Sequence, residues 1–474
     1  MRNFPRIPLT WTAWAMMVGL PASADSLPAD VAQMLQTLQE RVTRLEARNA
    51  ELERHLAESA RPAAKNEALA ARVEDVENAV LALRDKPSGL ERLEGISAGA
   101  SLTLVAQRAD GGAARDSQLT ARADVEVELA AGSIGDAEGK LFAHFRAGEG
   151  DGVAPASFAT PNATGGFGTS RPTLMQARYQ LDIPVGGKSG ELGRMEVTVG
   201  KMDPFVFFDA NNVADDESEG FLNLAFVHNP LLDAGGDIGV GSDGASPGLR
   251  LAYVSDINGG NHITASLGIY GAGRGGDYTD TFGNPFTIAQ LEYAGKTWGG
   301  LEGTYRLYAW NNARALDQVT LVEDNDAAGG NDDGTCDANE ECVPGIEESH
   351  RGWGLSIDQQ VTENATLFAR YGHSTRGSLA FDRAFTLGGQ LGGSGWGREN
   401  DRLGLALGLL KSSNEYRLAN PTFSGTEKTA ELFYVWQANE HFHLAPSLQW
   451  IGCPGADPAA KDVTVMGLRA KLSY

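Results

Sequence analysis

The sequence predicts an all-β transmembrane barrel of about sixteen antiparallel strands, preceded by an N-terminal periplasmic coiled-coil helix. Three observations predict it. The N-terminal segment has the layout of a secretion signal, downstream stretches alternate apolar and polar residues at strand length, and the last such stretch ends on Tyr474. The chain has 474 residues, with 39 Lys+Arg against 62 Asp+Glu and a net charge of -23. That balance excludes a general nucleic-acid binder, because phosphate contacts need a positive footprint. Mean hydropathy is slightly negative, and no long apolar run follows the N-terminus, which excludes a bundle of membrane helices. A barrel is compatible with both, because only alternate residues of its strands face lipid.

Residues 1–24 read as a signal peptide. Arg2 and Arg6 precede the apolar run from Leu9 to Leu20, and Ala22-Ser23-Ala24 is a small-residue cleavage site. An uncleaved N-terminal anchor is the alternative, disfavoured by the short run and Pro21. Export makes disulfides permissible.

Residues 28–86 read as a coiled-coil segment in two phases. Leu35, Val42, Asn49 and Leu56 share one seam position, and Val31, Leu38, Leu45 and Leu52 share the other. A polar Asn49 at the first position costs stability and sets register. Pro62 interrupts the run, and an out-of-phase series follows from Leu69 to Leu83. Self-association of this helix, as a dimer or trimer, competes with an amphipathic helix packed on its own protein.

From about residue 98 to 474 the period becomes two. Leu141, Ala143 and Phe145 alternate with Phe142, His144 and Arg146; Met175, Ala177, Tyr179 and Leu181 alternate with Gln176, Arg178, Gln180 and Asp182. The same phase places Arg250 opposite Leu249, Leu251 and Tyr253. It places Arg306 opposite Tyr305, Leu307 and Ala309, and Arg370 opposite Leu367, Ala369 and Tyr371. Arg402, Gly404, Ala406 and Gly408 alternate with Leu403, Leu405, Leu407 and Leu409. In the last stretch Met466, Leu468, Ala470, Leu472 and Tyr474 form one face, with Arg469 on the other. A soluble sandwich also has one apolar face per strand. The Gly-, Gln- and Arg-rich second face, and the contrast of tight turns with long acidic loops such as 324–341, favour the outer-membrane barrel. At roughly 20–25 residues per strand and its share of loop, sixteen is the expected even count.

Four segments resemble the carbohydrate-selective porin family of the OprB type. They are Gly200-Lys-Met-Asp-Pro204 continuing to Asn229-Pro230, Gly352-Trp-Gly-Leu355 to Gly372, Gly397-Arg398 to Gly408, and Pro446 to Arg469. They occur in the family's order across the barrel region. The resemblance implies a sixteen-stranded outer-membrane barrel passing small solutes, notably monosaccharides, by diffusion. It implies outer-membrane lipid as surroundings, no cofactor, and a homo-oligomer with a trimer among the expected states.

If the apolar faces meet lipid, the pore is lined by Arg146, Arg178, Arg250, Arg306, Arg370, Arg402 and Arg469. Each would cost roughly 2–4 kcal/mol on the lipid face near the midplane. Two roles are open to them: bracing the wall through acids such as Asp182 and Glu292, and presenting forked donors to sugar hydroxyls or small anions. Trp310, Trp353, Trp396 and Trp450 are expected mostly in interfacial belts, with stacking on sugar rings as the alternative. Cys336 and Cys342 flank an acidic stretch and are expected to form a disulfide, leaving Cys453 single. The acidic loop 324–341 has oxygen ligands enough for calcium but lacks the EF-hand spacing, so a solvated loop is expected. No nucleophile elbow, His-Glu-x-x-His, phosphate loop or dinucleotide fingerprint occurs, so no enzyme is expected and no metal site is assigned. Two alternatives stand beside the sugar porin: a porin for phosphate or organic acids, motivated by the arginines, and a tether contacting the cell wall through the coiled coil.

Overall fold

The computed structural model describes residues 96–111, 117–166, 171–186, 192–233, 245–257, 260–271, 282–317, 319 and 347–474. The strands are β1 (Ile96–Asp110), β2 (Ser117–Ile134), β3 (Ala137–Glu149), β4 (Thr173–Val185), β5 (Gly193–Met202), β6 (Ser246–Ile257), β7 (Asn261–Tyr270) and β8 (Phe286–Lys296). The second half contributes β9 (Glu302–Leu316), β10 (Glu347–Thr362), β11 (Ala365–Arg376), β12 (Phe381–Gly392), β13 (Arg402–Ser412), β14 (Thr426–Gln437), β15 (Phe442–Gly452) and β16 (Val463–Ser473). Each pairs with its sequence neighbours, and β1 pairs antiparallel with β16, Val105 facing Arg469, so the sheet closes. Closure leaves no strand edge unpaired, as a sheet in lipid requires.

The two faces of the wall differ as the alternation demands. Leu141, Phe145, Leu251, Leu307, Leu367, Leu405, Leu407 and Leu468 are exposed on the outside, while Arg250, Arg306, Arg370 and Arg469 are buried inside. The aromatic residues Tyr253, Trp396, Trp436 and Tyr474 are exposed where strands meet the chain-terminal end of the barrel, an interfacial position. One phase departs from expectation. Pairing between β3 and β4 shifts register after His144, so Phe145 faces Leu174 and Met175 is skipped. This bulge turns Met175 inward, where it is buried, and restores the outward phase from Ala177 on.

The expected fold class needs a correction. The described structure is the barrel alone, beginning at Ile96, and no coiled-coil helix forms part of it. Among the described residues the α-helices are short, Leu224–Val227 (α1) and Asn414–Ala419 (α2), and both lie in connections between strands. The signal peptide 1–24, the coiled-coil segment 28–86 with Asn49, the loop 324–341, and Cys336 with Cys342 lie outside the described residues. Cys453 is a free thiol.

The core sits inside the barrel. The connection between β5 and β6 folds inward, and its Phe205, Phe208, Leu231 and Leu232 pack on Tyr270, Phe286, Ile288, Tyr308 and Trp310 of the wall. Farther along, Val213, Ala214, Phe221 and Phe226 pack on Phe368, Phe433 and Val435. Burying each such aromatic or aliphatic side chain contributes roughly 1.5–3 kcal/mol. The wall therefore presents inward apolar residues wherever it seats this loop. Inward glycines serve the same packing: a Cβ on Gly404 would meet the Phe433 ring at 2.3 Å, and one on Gly354 would meet the Tyr308 ring at 2.5 Å. These glycines leave room for an aromatic ring from the neighbouring strand.

Candidate functional site: the constricted lumen

The inward connection starts on a short turn. Asp203 is in extended backbone and its carboxylate accepts the Phe205 amide, with Pro204 fixing the next φ. The chain then reaches Asp209, a left-handed residue with φ 59 that is fully buried. Its carboxylate accepts hydrogen bonds from the Tyr308 hydroxyl (2.7 Å), Arg370 Nε (3.1 Å) and the Asn229 amide. Arg370 also donates to the Phe226 carbonyl at 2.7 Å and the Asp209 carbonyl at 3.0 Å. Asn211 donates to Ser356 and to the Ile357 carbonyl, and Asn223 caps α1 by accepting the Ala225 amide. The loop is thus tied to β9, β10 and β11 by buried, satisfied polar groups around an apolar seat.

A second inward connection, between β3 and β4, leans on the first. The Ala163 amide donates to the Leu222 carbonyl and the Leu224 amide to the Thr160 carbonyl. Gln107 and Gln449 of the wall both donate to the Pro161 carbonyl.

Between these loops and the wall lies a cavity of about 600 Å³. Its lining runs from Ala245, beside the first residue of β6, to Gly99 and Tyr474 at the opposite end of the barrel. On the wall side, Asp124 accepts hydrogen bonds from Arg122 Nε (2.8 Å) and Arg146 Nε (2.6 Å), with His144 Nε2 at 2.8 Å. Arg122 reaches across to Glu217 of the loop. Lys471 Nζ and Arg402 each approach Glu219 at 2.6 Å. On the loop side, the His228 ring stacks on Phe205 with centroids 3.8 Å apart and an interplanar angle of 6°. His228 Nδ1 lies 2.7 Å from Asp233, and Nε2 lies 3.9 Å from Asp215. Burial works against the charged imidazole, but Asp233, Asp215 and Asp203 outweigh it and raise its pKa to about 9. Burial pushes the Asp215 carboxyl up to about 7, against the pull of His228 and Arg370. Carboxylates outnumber Lys and Arg along the lining: Glu126, Asp203, Asp215, Asp216 and Asp233 join Asp124, Glu217 and Glu219, against Arg122, Arg146 and Lys471.

The seven arginines expected from strand phase separate into groups. Arg146 lines the cavity, and Arg402 is part-exposed over Glu219. Arg178 lies over the Phe142 ring at 3.8 Å, and Arg250 over Phe207 at 4.6 Å. Arg250 also pairs with Glu196 at 2.8 Å. Arg306 bridges Glu292 (2.7 Å) and Asp358 (2.8 Å). Arg370 and Arg469 are fully buried against the inward loop. Of the acids expected as partners, Glu292 meets Arg306, whereas Asp182 meets Lys140 at 3.4 Å. Trp310 is buried in the seat of the loop, while Trp396 and Trp450 are exposed. Trp353 packs against Tyr371 on the outward face, centroids 5.3 Å apart and rings tilted by 52°.

Arg122, Asp124, Glu217 and Glu219 escaped the sequence reading, and Lys471, on the same face of the last stretch as Arg469, was not singled out as lining the pore. Arg122 and Asp124 alternate with Ala121, Ala123 and Val125, a weaker apolar face than the leucine runs elsewhere. Glu217 and Glu219 carry no periodic signal, because a loop folded into the lumen obeys tertiary contacts alone.

The family profile described as "Carbohydrate-selective porin, OprB family" matches residues 110–474. Among solved structures, the high-pH structure of Pseudomonas putida OprB is similar with a TM-score of 0.61 and 20% identity, covering 83% of this chain and 97% of that one. The low-pH structure of the same protein gives 0.45 and 15%, covering 82% and 97%. The outer membrane channel DcaP of Acinetobacter baumannii gives 0.44 and 12%, covering 80% and 97%. No curated protein matches the chain. The likeness to the high-pH structure bears on the fold; the family match spans nearly all of the described barrel. This chain belongs to the carbohydrate-selective porin OprB family: it is an outer-membrane β-barrel porin for passive diffusion of small hydrophilic solutes, a transport protein and not an enzyme.

Proposed function

We propose that the solutes are neutral sugars of about monosaccharide size, passing by diffusion through the cavity between the inward loops and the β1–β4 wall. The observation that carries this reading is the cavity itself: about 600 Å³, with fixed donors and acceptors on opposite sides and an aromatic pair on the loop side. Sugars offer both donors and acceptors, so a lining of paired Arg, Lys and carboxylate groups can replace their hydration at many points without binding them tightly. Arg146 and Arg402 would meet solute, whereas Arg250, Arg306, Arg370 and Arg469 brace the wall and the loop. Arg178, held over Phe142 and Phe207, stands outside that lining.

The anion alternative is motivated by the arginines of the lumen. Arg250, Arg306 and Arg370 each face a carboxylate, and the cavity lining is richer in Asp and Glu than in Lys and Arg. Liposome swelling with sugars of graded size tests the sugar reading: glucose should enter and a tetrasaccharide should not. Entry of phosphate or organic acids in preference to glucose would replace it. Chemical crosslinking of the same membranes reads whether barrels associate as expected.

A further inference from the structure

We propose that Glu431 and Arg469 form a backbone clamp that sets the bore of the pore, leaving the side chains of the clamped segment to set its charge preference. This rests on the porin reading above. Glu431 points inward from β14 and is 1% exposed. Its two carboxylate oxygens accept the adjacent amides of Leu222 and Asn223, each at 2.8 Å. Arg469 points inward from β16 and donates to the carbonyls of Gly220 (2.7 Å), Glu219 (2.9 Å) and Glu217 (3.0 Å). Between them on β15, Gln449 accepts from the Asn223 side chain at 3.0 Å and donates to the Pro161 carbonyl of the second inward loop.

The wall thus reads segment 217–223 through main-chain atoms of both polarities. A carboxylate fits the two amides because it offers acceptors and no donor, and a guanidinium fits the three carbonyls because it offers only donors. The same device recurs two inward positions along β14. Glu427 accepts the amides of Phe158 (2.8 Å) and Gly455 (2.7 Å), which belong to two other inward connections. Buried charges spent on main-chain groups do not depend on which side chains the loop carries. Glu217, Ser218 and Glu219 of the clamped segment, and Asp216 just before it, accordingly line the cavity. Position and charge preference are thereby divided: main-chain bonds to two wall residues place the segment, and its side chains, paired across to Arg122, Arg402 and Lys471, line the cavity.

The test is a double dissociation in planar bilayers with the full-length protein. Bore is read by exclusion of graded poly(ethylene glycol)s, and charge preference by reversal potential in a KCl gradient. E431Q puts an amide donor against one of the two N–H groups. R469K replaces the planar fork by a single ammonium. Each should raise open-channel conductance about twofold and admit larger polymers, with reversal potential little changed. E217Q keeps every main-chain bond of the clamp and gives up only the charge that faces Arg122, so it should shift the reversal potential toward anions and leave the polymer cut-off in place. Heat-modifiable gel mobility confirms that each barrel is closed, and either clamp variant suffices if the other does not fold. An unchanged cut-off in a folded clamp variant, or equal widening in E217Q, overturns the clamp. A parent protein that conducts nothing and admits no sugar would instead overturn the porin reading on which it rests.

Discussion

Replacing Asp209 should release the inward loop from the wall, at a cost that the structure bounds. Asp209 is fully buried and Arg370 is 1% exposed, so neither is screened by water. In D209N the guanidinium keeps its bonds to the Phe226 and Asp209 carbonyls and the more distant Asp215 at 3.7 Å, but loses its hydrogen-bonded carboxylate. The new amide group must also set a donor against the Asn229 amide, the Tyr308 hydroxyl or Arg370. Breaking a buried ion pair costs about 3–5 kcal/mol, and the two surviving carbonyl bonds place D209N near about 3. Asn tolerates the left-handed backbone at φ 59, whereas Ala does not, so D209A should lose a further ~1 kcal/mol or more. Hydrogen exchange of the loop amides in liposomes reads this locally: about 3 kcal/mol is roughly a hundredfold faster opening. The double variant D209N/R370M removes the stranded charge and should recover at least about 1.5 kcal/mol relative to additivity. Loop protection within about threefold of the parent in D209N would refute the reasoning that this pair anchors the loop.

Other consequences follow from the same geometry. L407R places a charge on the lipid face of β13, where Leu407 is exposed, and should lower unfolding free energy in liposomes by about 2–4 kcal/mol. Filling an inward glycine, as in G404V, drives a side chain into the Phe433 ring and should destabilise the barrel by about 1–3 kcal/mol in urea titration. Asp215 has its pKa raised to about 7, above its ordinary 3.8, so the folded loop holds that proton more tightly than the unfolded chain. Its packing is therefore most stable below the ordinary value and loses stability as pH rises through about 7. His228, at about 9, stays charged in the fold over that range; its contribution is full below its ordinary 6.5 and is lost as pH rises from there through about 9. Reversal potentials should show cation preference rising between about pH 6 and 8, and D215N should flatten the rise.

The outward half of the wall was legible because lipid enforces a simple rule. Every second residue of β6, β9, β11, β13 and β16 must be apolar, and the leucine runs opposite Arg250, Arg306, Arg370 and Arg402 obey it. Closure by the terminal strand was legible for the same reason. The inward half was not, because it has two jobs. Phe368 and Phe433 stand at inward positions where polar residues were expected, and they do so because Phe221 packs on both. Met175 broke phase because a bulge, invisible to periodicity, inserts one residue into β4. The inward loop itself was marked in sequence only by family-like words from Gly200 to Pro230. Its destination follows from long-range pairs such as Asp209 with Arg370 and Glu431 with the Leu222 amide, which no local pattern announces. The arginines show the limit most plainly: phase placed them inside, but only tertiary contacts distinguish Arg146 beside the cavity from Arg370 beneath the loop.

Single-channel recording of the purified protein in a planar bilayer, with glucose titrated into symmetrical KCl, tests the central claim most directly. A porin with the lumen described here gives discrete open steps that glucose reduces in a concentration-dependent way, with no strong preference for anions. Closed, heat-modifiable barrels that insert and conduct nothing, or steps that glucose leaves untouched while phosphate blocks them, would contradict the account.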